Sequence, residues 1–101
     1  MKLTEEMITI INKAPYLTLV TVSKEGIAHP VIVGGKEVSE DAVHIGIYKL
    51  SITQENLSNS SKAWLAVATV ENGPKGFRFE GTASVCDKKI VFTPDTAEPM
   101  I

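Results

Sequence analysis

The chain has only one cysteine, Cys86, and therefore cannot close an internal disulfide. Free thiols persist in reducing compartments, so the cysteine content favours the cytoplasm. The sequence also lacks an apolar run near the roughly 18 residues that a membrane-spanning helix needs. Residues 1–6 lack the apolar segment of a signal peptide. The composition thus predicts a cytoplasmic protein without a membrane partner.

An excess of charge is missing too, since 10 Lys and Arg residues stand against 12 Asp and Glu residues and the net charge is −2. A sequence-independent nucleic-acid binder needs a basic stripe that displaces counterions from the phosphates. We therefore expect no nucleic acid partner. His29 and His44 lie far apart in the sequence and have no Cys or carboxylate at the spacing of metal ligands. We expect no metal site either.

The length of 101 residues fits a single domain over residues 1–101. Apolar residues recur at helical spacing near the amino end, which predicts a helix over Glu5–Lys13. Thr4 is its expected N-cap, and acidic residues follow where the helix dipole favours them. A second, short helix is expected over about Gln54–Asn59, with Thr53 as its N-cap.

Runs rich in β-branched or alternating residues predict six strands, over residues 16–22, 27–33, 42–47, 62–70, 76–85 and 90–93. Residues 37–41 are polar and predict a turn. Residues 94–101 contain two prolines and no periodicity, which predicts a loose tail. The hairpin-rich order favours a mostly antiparallel barrel, because closure removes exposed strand edges.

The turn before the second helix gathers groups that bind a phosphate. Lys49 supplies a cation, and Ser51 and Thr53 supply hydroxyls. The first amides of the helix lack internal partners and carry the positive end of the dipole. Such a cluster suits an anion, although an ordinary capped helix with a solvated lysine has the same residues.

Four segments in this order resemble the pyridoxamine 5′-phosphate oxidase-like family of FMN-binding split barrels, especially its small single-domain members. They are TEEM at residues 4–7, TVSKEG at 21–26, TQENL at 53–57 and GFRFEGTA at 76–83. Family members are six-stranded split β-barrels that dimerise, with FMN in a groove between the subunits. The resemblance therefore implies a mainly β fold, a six-stranded antiparallel split β-barrel with two short helices. It also implies a homodimer and an FMN cofactor.

The resemblance further implies where the cofactor lies. The family holds the flavin phosphate with a Lys-Thr pair before the second helix, which implies Thr53 as a phosphate ligand. Ile52 stands where the family has the lysine, and we infer that Lys49 reaches the same pocket from the loop. The cofactor site expected in full is His29, Pro30, Val31, Ile32, Ile47, Tyr48, Lys49, Ser51 and Thr53.

Three functions follow as alternatives. The first is an FMN-binding flavoprotein, a small FMN-dependent oxidoreductase or electron carrier with an unknown small-molecule substrate or redox partner. The second is a split-barrel dimer that has lost strong FMN binding and acts as a binding or structural module. The third is an unrelated small β-barrel interaction module. Trp64 lies on a strand with two apolar faces and is expected in the core or a dimer interface. We assign no catalytic residue.

Overall fold

The computed structural model describes residues 1–71 and 73–100. In chain order its elements are α1 (Glu5–Lys13), β1 (Leu17–Val22), β2 (Ala28–Val33), β3 (Lys36–Val38), β4 (Val43–Gly46), α2 (Ser51–Asn59), β5 (Lys62–Thr69), β6 (Lys75–Cys86) and β7 (Lys89–Pro99). The strands pair antiparallel in one sheet, in the order β2-β1-β5-β6-β7-β4-β3. Among the described residues, no helix has the length and apolar character that crossing a membrane requires.

The two edge strands of this sheet follow each other directly in the sequence. Only Gly34 and Gly35 separate the end of β2 from the start of β3. A link this short spans about 10 Å. A flat sheet of seven strands would hold its edges about 29 Å apart, at roughly 4.8 Å per strand. The sheet therefore curls until its edges approach, which gives an open barrel with a seam between β2 and β3.

The concave face of the curled sheet forms the core. Its fully buried side chains include Leu19, Leu65, Phe79 and Phe92, which come from four different strands. Alternate residues of β1 and β5 are more exposed, so each strand presents one face to the core and one outward. The predicted alternation along β6 is confirmed from Phe79 to Ser84.

Helix α1 covers part of the core, and its predicted bounds and N-cap are confirmed. Ile10 and Ile11 are buried, and the Thr4 hydroxyl accepts a hydrogen bond from the Met7 amide at 3.2 Å. The local signals were sufficient here because the cap, the acidic first turn and the apolar stripe all specify the same nine residues.

The sheet has seven strands where six were predicted, and the additional strand is β3. It pairs with β4 in a hairpin that occupies much of the predicted polar turn at residues 37–41. Ser39 closes this hairpin, since its amide donates to the Ala42 carbonyl at 3.0 Å and its hydroxyl accepts from the Ala42 amide at 3.2 Å. A three-residue edge strand with charged residues gives no periodic signal, which explains why the sequence pattern missed it.

The tail prediction is wrong for residues 94–99, which extend β7 as far as Pro99. A bulge between Glu80 and Gly81 accommodates the buried Pro94, whose ring nitrogen has no hydrogen to donate to the ladder. The close approach of β7 also explains Gly81, where an added Cβ would overlap the carbonyl oxygen of Thr93. Ile101 lies outside the described residues.

Helix α2 begins at Ser51 rather than Gln54, so Thr53 as N-cap is wrong. Leu50 occupies the cap position, and the Gln54 amide donates to the Leu50 carbonyl at 2.9 Å to close the first turn. Thr53 and Asn56 are buried one turn apart on the face that packs against the barrel. Burying both residues on one face requires helical backbone at Thr53. The contact with the barrel therefore overrides the local preference of threonine for the N-cap position.

Candidate functional site

Two adjoining hollows lie near the seam, where the last residues of β2 meet the segment between β4 and α2. The first, which we call the helix pocket, is lined by residues 49–53 with His29 and Val31 and has a volume of about 110 Å³. The second, which we call the seam hollow, is lined by residues 32–35 and 46–48 with Tyr16 and Leu50 and has a volume of about 400 Å³. Leu50 belongs to both, so the two hollows are neighbours.

The fold brings eight of the nine expected site residues to the two hollows. His29, Val31, Lys49, Ser51 and Thr53 line the helix pocket. Ile32, Ile47 and Tyr48 line the seam hollow. Pro30 lines neither hollow; it is exposed and pairs with Val20 across the β2–β1 ladder. Two stretches that are separate in the sequence thus form one continuous surface.

Several lining residues were not anticipated from the sequence. They are Tyr16, Val33, Gly34, Gly35, Gly46 and Leu50. Gly46 inside a strand was a usable signal, because glycine there often marks the close approach of a ligand or another backbone. Tyr16 had no such signal, since it precedes β1 and reaches the seam only when the sheet curls.

Thr53 has the most informative environment in the helix pocket. Its side chain is 1% exposed. Among the residues that the structure describes, its hydroxyl is the one buried side-chain polar atom without a hydrogen-bond partner. Leaving a buried hydroxyl unpaired costs about 1–3 kcal/mol. One turn further along α2, Asn56 is satisfied, since its amide nitrogen donates to the Thr21 hydroxyl at 3.0 Å.

The amino end of α2 adds unpaired backbone donors to the same pocket. Within the described part of the chain, no side chain caps this helix, and its first turn contains no acidic residue. The amides of Ile52 and Thr53 belong to the group that an α-helix cannot pair internally. Together with the helix dipole they make the pocket electropositive.

Lys49 lines the helix pocket, and its side chain approaches the seam hollow. Its backbone is left-handed at φ 59°, a conformation that costs a residue other than glycine about 1–2 kcal/mol. The described chain has two other such residues, Asp87 and Lys88, and both form the two-residue hairpin turn between β6 and β7 that requires positive φ. Lys49 has no hairpin to explain it. Its ammonium nitrogen lies 5.6 Å from the centre of the Tyr48 ring, which lines the seam hollow.

The convex face of β2, β1 and β5 is apolar beside the seam. It carries Val20 and Trp64, which are half-buried, and Ile32, which is 63% exposed. Charged pairs border this face. The Lys62 ammonium donates to the Glu80 carboxylate at 2.9 Å, and this hydrogen bond holds the pKa of Glu80 below its ordinary value.

Comparisons with known proteins bear on the fold. No family model matches the chain, and a search of curated proteins by sequence finds no match. A candidate pyridoxamine 5′-phosphate oxidase from Lactobacillus delbrueckii matches in structure with a TM-score of 0.82 and 18% identity, over 96% of this chain and 93% of that one. An FMN-binding protein from Syntrophomonas wolfei matches with a TM-score of 0.77 and 17% identity, over 92% and 82%. HutZ, the heme storage protein from Vibrio cholerae, matches with a TM-score of 0.71 and 12% identity, over 97% and 94%.

At these identities the likeness establishes the fold and not the ligand. The three matches each cover more than nine-tenths of this chain. The resemblance to the pyridoxamine 5′-phosphate oxidase-like FMN-binding split barrels, expected from the sequence, is confirmed at this level. The chain has the split-barrel fold of these proteins, built here from seven strands.

Proposed function

We propose that the chain binds FMN, with the phosphate in the helix pocket and the isoalloxazine ring in the seam hollow. The observation that carries the proposal is the buried, unpartnered Thr53 hydroxyl in the wall of a pocket that Lys49 also lines. The fold supports it, since one structurally similar protein is FMN-binding.

The helix pocket offers the groups that a phosphate needs. Lys49 contributes a cation, Ser51 and Thr53 contribute hydroxyls, and the first turn of α2 contributes amides. Charge-assisted hydrogen bonds contribute about 1.5–3 kcal/mol each, and the helix dipole adds about 0.3–1 kcal/mol. Ile52 contributes no side-chain donor, so Lys49 is the cation on which the proposal depends.

The seam hollow suits the ring system. It is several times larger than the helix pocket and is lined mainly by aliphatic, aromatic and glycine residues. Leu50 borders both hollows, so the ribityl chain would pass this residue. Ile32 and Ile47 would hold the ring edge and keep water from it.

Bound FMN supplies the redox chemistry, which makes the chain a small oxidoreductase or an electron carrier. The side chains bind and orient the cofactor, and a substrate or redox partner reaches the ring from the open side of the seam hollow. Cys86 is exposed and unpaired among the described residues, which suits a reducing cytoplasm.

We also propose that the protein is a homodimer across the convex face of β2, β1 and β5. Ile32 lies on this face and also lines the seam hollow, so a second copy would lie beside the ring site and leave its open side accessible. The apolar centre with a charged border, including Lys62 and Glu80, is the usual arrangement of an interface. Sedimentation at micromolar concentration tests this, and Ile32→Glu should produce monomers while Ser84→Glu, on exposed β6 surface, should not.

The test of the FMN proposal is a titration of wild type and Lys49→Ala with FMN and with riboflavin, which lacks the phosphate. Wild type should bind FMN more tightly than riboflavin. Lys49→Ala should weaken FMN binding about tenfold or more, since tenfold corresponds to 1.4 kcal/mol, and leave riboflavin binding unchanged. Equal losses for both ligands would remove Lys49 from the phosphate site.

A wild type that binds neither flavin would favour the alternative, a split-barrel dimer without strong FMN binding. The departure from the family pattern at Ile52 is the sequence feature that favours this alternative. Sedimentation distinguishes this alternative from an unrelated interaction module, because only the split-barrel hypothesis requires a dimer.

A further inference from the structure

We propose that helix α2 opens from the barrel as a unit, independently of the rest of the fold. One buried hydrogen bond between Asn56 and Thr21, which we call the α2 latch, holds the helix closed. An anion bound at the first turn of α2 holds it closed more firmly. Neither residue of the α2 latch lines the helix pocket or the seam hollow. The effect of the anion rests on the proposed function, whereas the separate opening of α2 does not.

The two helices bury different kinds of side chain. Helix α1 buries two isoleucines, and further apolar residues of this helix pack against the core. Helix α2 buries Thr53 and Asn56, which are both polar, while its Leu57 is half-buried and its Ile52 is 52% exposed. Burial of apolar surface is the main favourable term in packing, and a buried hydrogen bond adds little beyond the water contacts that it replaces. The contact of α2 with the barrel is therefore weak for a helix of its length.

The Thr53 hydroxyl weakens this contact further. It is buried when α2 is closed, and no described residue pairs with it. Closing the helix therefore removes this hydroxyl from water without a new hydrogen bond. A phosphate oxygen in the helix pocket would accept a hydrogen bond from it, so anion binding and closure of α2 favour each other.

The α2 latch is the polar contact that ties the helix to the barrel. The Asn56 amide nitrogen donates to the Thr21 hydroxyl at 3.0 Å, and both residues are buried. In the part of the chain that the structure describes, no other hydrogen bond or ion pair joins α2 to a strand or to α1. The side chains of Ser58 and Asn59 donate to the Glu55 carbonyl inside the helix instead. Loss of the α2 latch would therefore release the helix without breaking another polar contact.

Closure of α2 also assembles the helix pocket. Thr21 is the direct partner of His29 in the ladder between β1 and β2, and His29 lines the pocket. Thr53 lies one turn before Asn56 on the same face of α2 and lines the pocket as well. The α2 latch thus fixes the residues that α2 contributes relative to those of β2. A ligand that contacts both sets of residues binds the closed form and shifts the population toward it.

Amide hydrogen exchange of the full-length protein, followed residue by residue by NMR, tests the separate opening. In the ligand-free protein, the amides of residues 55–59 should have protection factors at least tenfold lower than those of residues 9–13 in α1. Both sets of amides are hydrogen-bonded inside their helices, so the difference reports the opening of each helix. Equal protection would mean that α2 opens only with the whole fold, which overturns the proposal.

A variant in α1 separates local opening from global unfolding. Ile11→Val removes a methyl group from a fully buried side chain and should lower the protection of the α1 amides several-fold. The protection of the α2 amides should stay within twofold of wild type, because α1 remains packed when α2 opens. Equal losses in both helices would overturn the proposal.

Two further variants test the α2 latch itself. Asn56→Ala should lower the protection of the α2 amides at least tenfold, whereas the exposed control Glu55→Ala should stay within twofold of wild type. If circular dichroism shows that Asn56→Ala fails to fold, the double variant Thr21→Val/Asn56→Leu decides. It replaces both partners by apolar residues of the same shape, so the protection of α2 should rise several-fold. A fall in the double variant, or an unchanged Asn56→Ala, would overturn the role of the α2 latch.

Exchange with ligand distinguishes this inference from the flavin proposal. FMN at ten times its dissociation constant should slow the exchange of α2 about tenfold, since it binds only the closed form. Inorganic phosphate should have the same effect at a higher concentration, and sodium chloride at equal ionic strength should not. Separate opening that millimolar FMN does not slow leaves the α2 latch standing and overturns the anion site. A helix α2 that is as protected as α1 without ligand, in a protein that binds FMN, overturns the α2 latch and leaves the flavin proposal standing.

Discussion

The two helices have the same length of nine residues but begin in opposite ways. Helix α1 starts from a Thr4 cap, has Glu5 and Glu6 in its first turn, and is confirmed as predicted. Helix α2 starts from Leu50, and the described residues provide neither a side-chain cap nor an acidic first turn. Its start also contains the unpartnered Thr53 hydroxyl.

The chain itself supplies a cap and opposing charges at the start of α1, and it supplies neither at the start of α2. At α1, the Glu5 and Glu6 carboxylates oppose the dipole and the Thr4 hydroxyl pairs the Met7 amide, so this helix start disfavours an anion. At α2 no described side chain caps the first backbone amides, and no acidic residue in the first turn opposes the dipole. Lys49 adds to the positive charge of this helix start. The start of α1 is thus stabilised by the chain's own side chains, and the start of α2 has the features of the anion site that we propose.

The largest expected effect comes from giving α2 the acidic first turn that α1 has. Ser51→Asp would place a carboxylate beside the dipole, where it stabilises the helix, and in the position that the phosphate would occupy. FMN affinity should fall more than about a hundredfold, equivalent to 2.8 kcal/mol, because like charges repel strongly at contact distance. Isothermal titration calorimetry measures this directly.

The matched control is Ser58→Asp, which adds the same charge to the last turn of α2, outside both hollows. It should change FMN affinity less than twofold. An equal loss in both variants would mean that overall charge, and not the start of α2, governs the affinity.

The next effect concerns the cap of α1. Thr4→Val should destabilise the protein by about 1 kcal/mol, since the Met7 amide loses its acceptor. For a domain of this size the melting temperature should fall by roughly 4–8 °C. Thr9→Val, an exposed change on the same helix, should leave the melting temperature nearly unchanged. A thermal melt followed by circular dichroism compares the two variants.

Thr53→Val should stabilise the ligand-free protein, in contrast to the destabilising Thr4→Val. Valine has nearly the same shape and removes a buried hydroxyl that no described residue satisfies, so stability should rise by up to about 1 kcal/mol. FMN binding should weaken at the same time, because the pocket loses a donor. A fall in stability would show that the Thr53 hydroxyl is paired in solution without any ligand.

Thr21→Val is the matched control for Thr53→Val. It removes a threonine hydroxyl that is paired, and it leaves the buried Asn56 amide without its acceptor. The protein should lose about 1–3 kcal/mol of stability. The two threonine variants thus separate an unsatisfied hydroxyl from a satisfied one in the same region.

The two helices also show how far the sequence predicts this molecule. At α1 the signals are local, so the bounds and the cap could be read from the residues themselves. At α2 the burial of Thr53 depends on contact with the barrel, and local capping preference gave the wrong start. In the helix pocket, Lys49, Ser51 and Thr53 were predicted from the residues of one turn. His29 and Val31 were predicted only through the resemblance to a family, because they lie in a distant stretch of the sequence.

The seam was beyond sequence reasoning for a geometric reason. Its position depends on β3, a three-residue strand without periodicity, and on a two-glycine link that forces the sheet edges together. Tyr16 and Gly46 become neighbours of Tyr48 only after that curl. Tyr16, Gly34 and Gly46 could therefore be assigned to the seam hollow only from the folded structure, although Ile32, Ile47 and Tyr48 were expected there from the family resemblance.

The smallest expected effect tests whether the acidic first turn of α1 acts through the helix dipole. Replacing Glu5 and Glu6 with glutamine keeps the size of both side chains and removes their charges, so each change should lower stability by about 0.3–1 kcal/mol at low salt. In about 1 M salt the Debye length is roughly 3 Å, and most of this loss should disappear. Urea denaturation of the double variant at both salt concentrations measures the difference. FMN affinity should stay at the wild-type value, since these glutamates line neither hollow of the site. A loss of stability that is equal at low and high salt would mean that the glutamates act through packing, and the contrast between the two helix starts would then rest on the Thr4 cap alone.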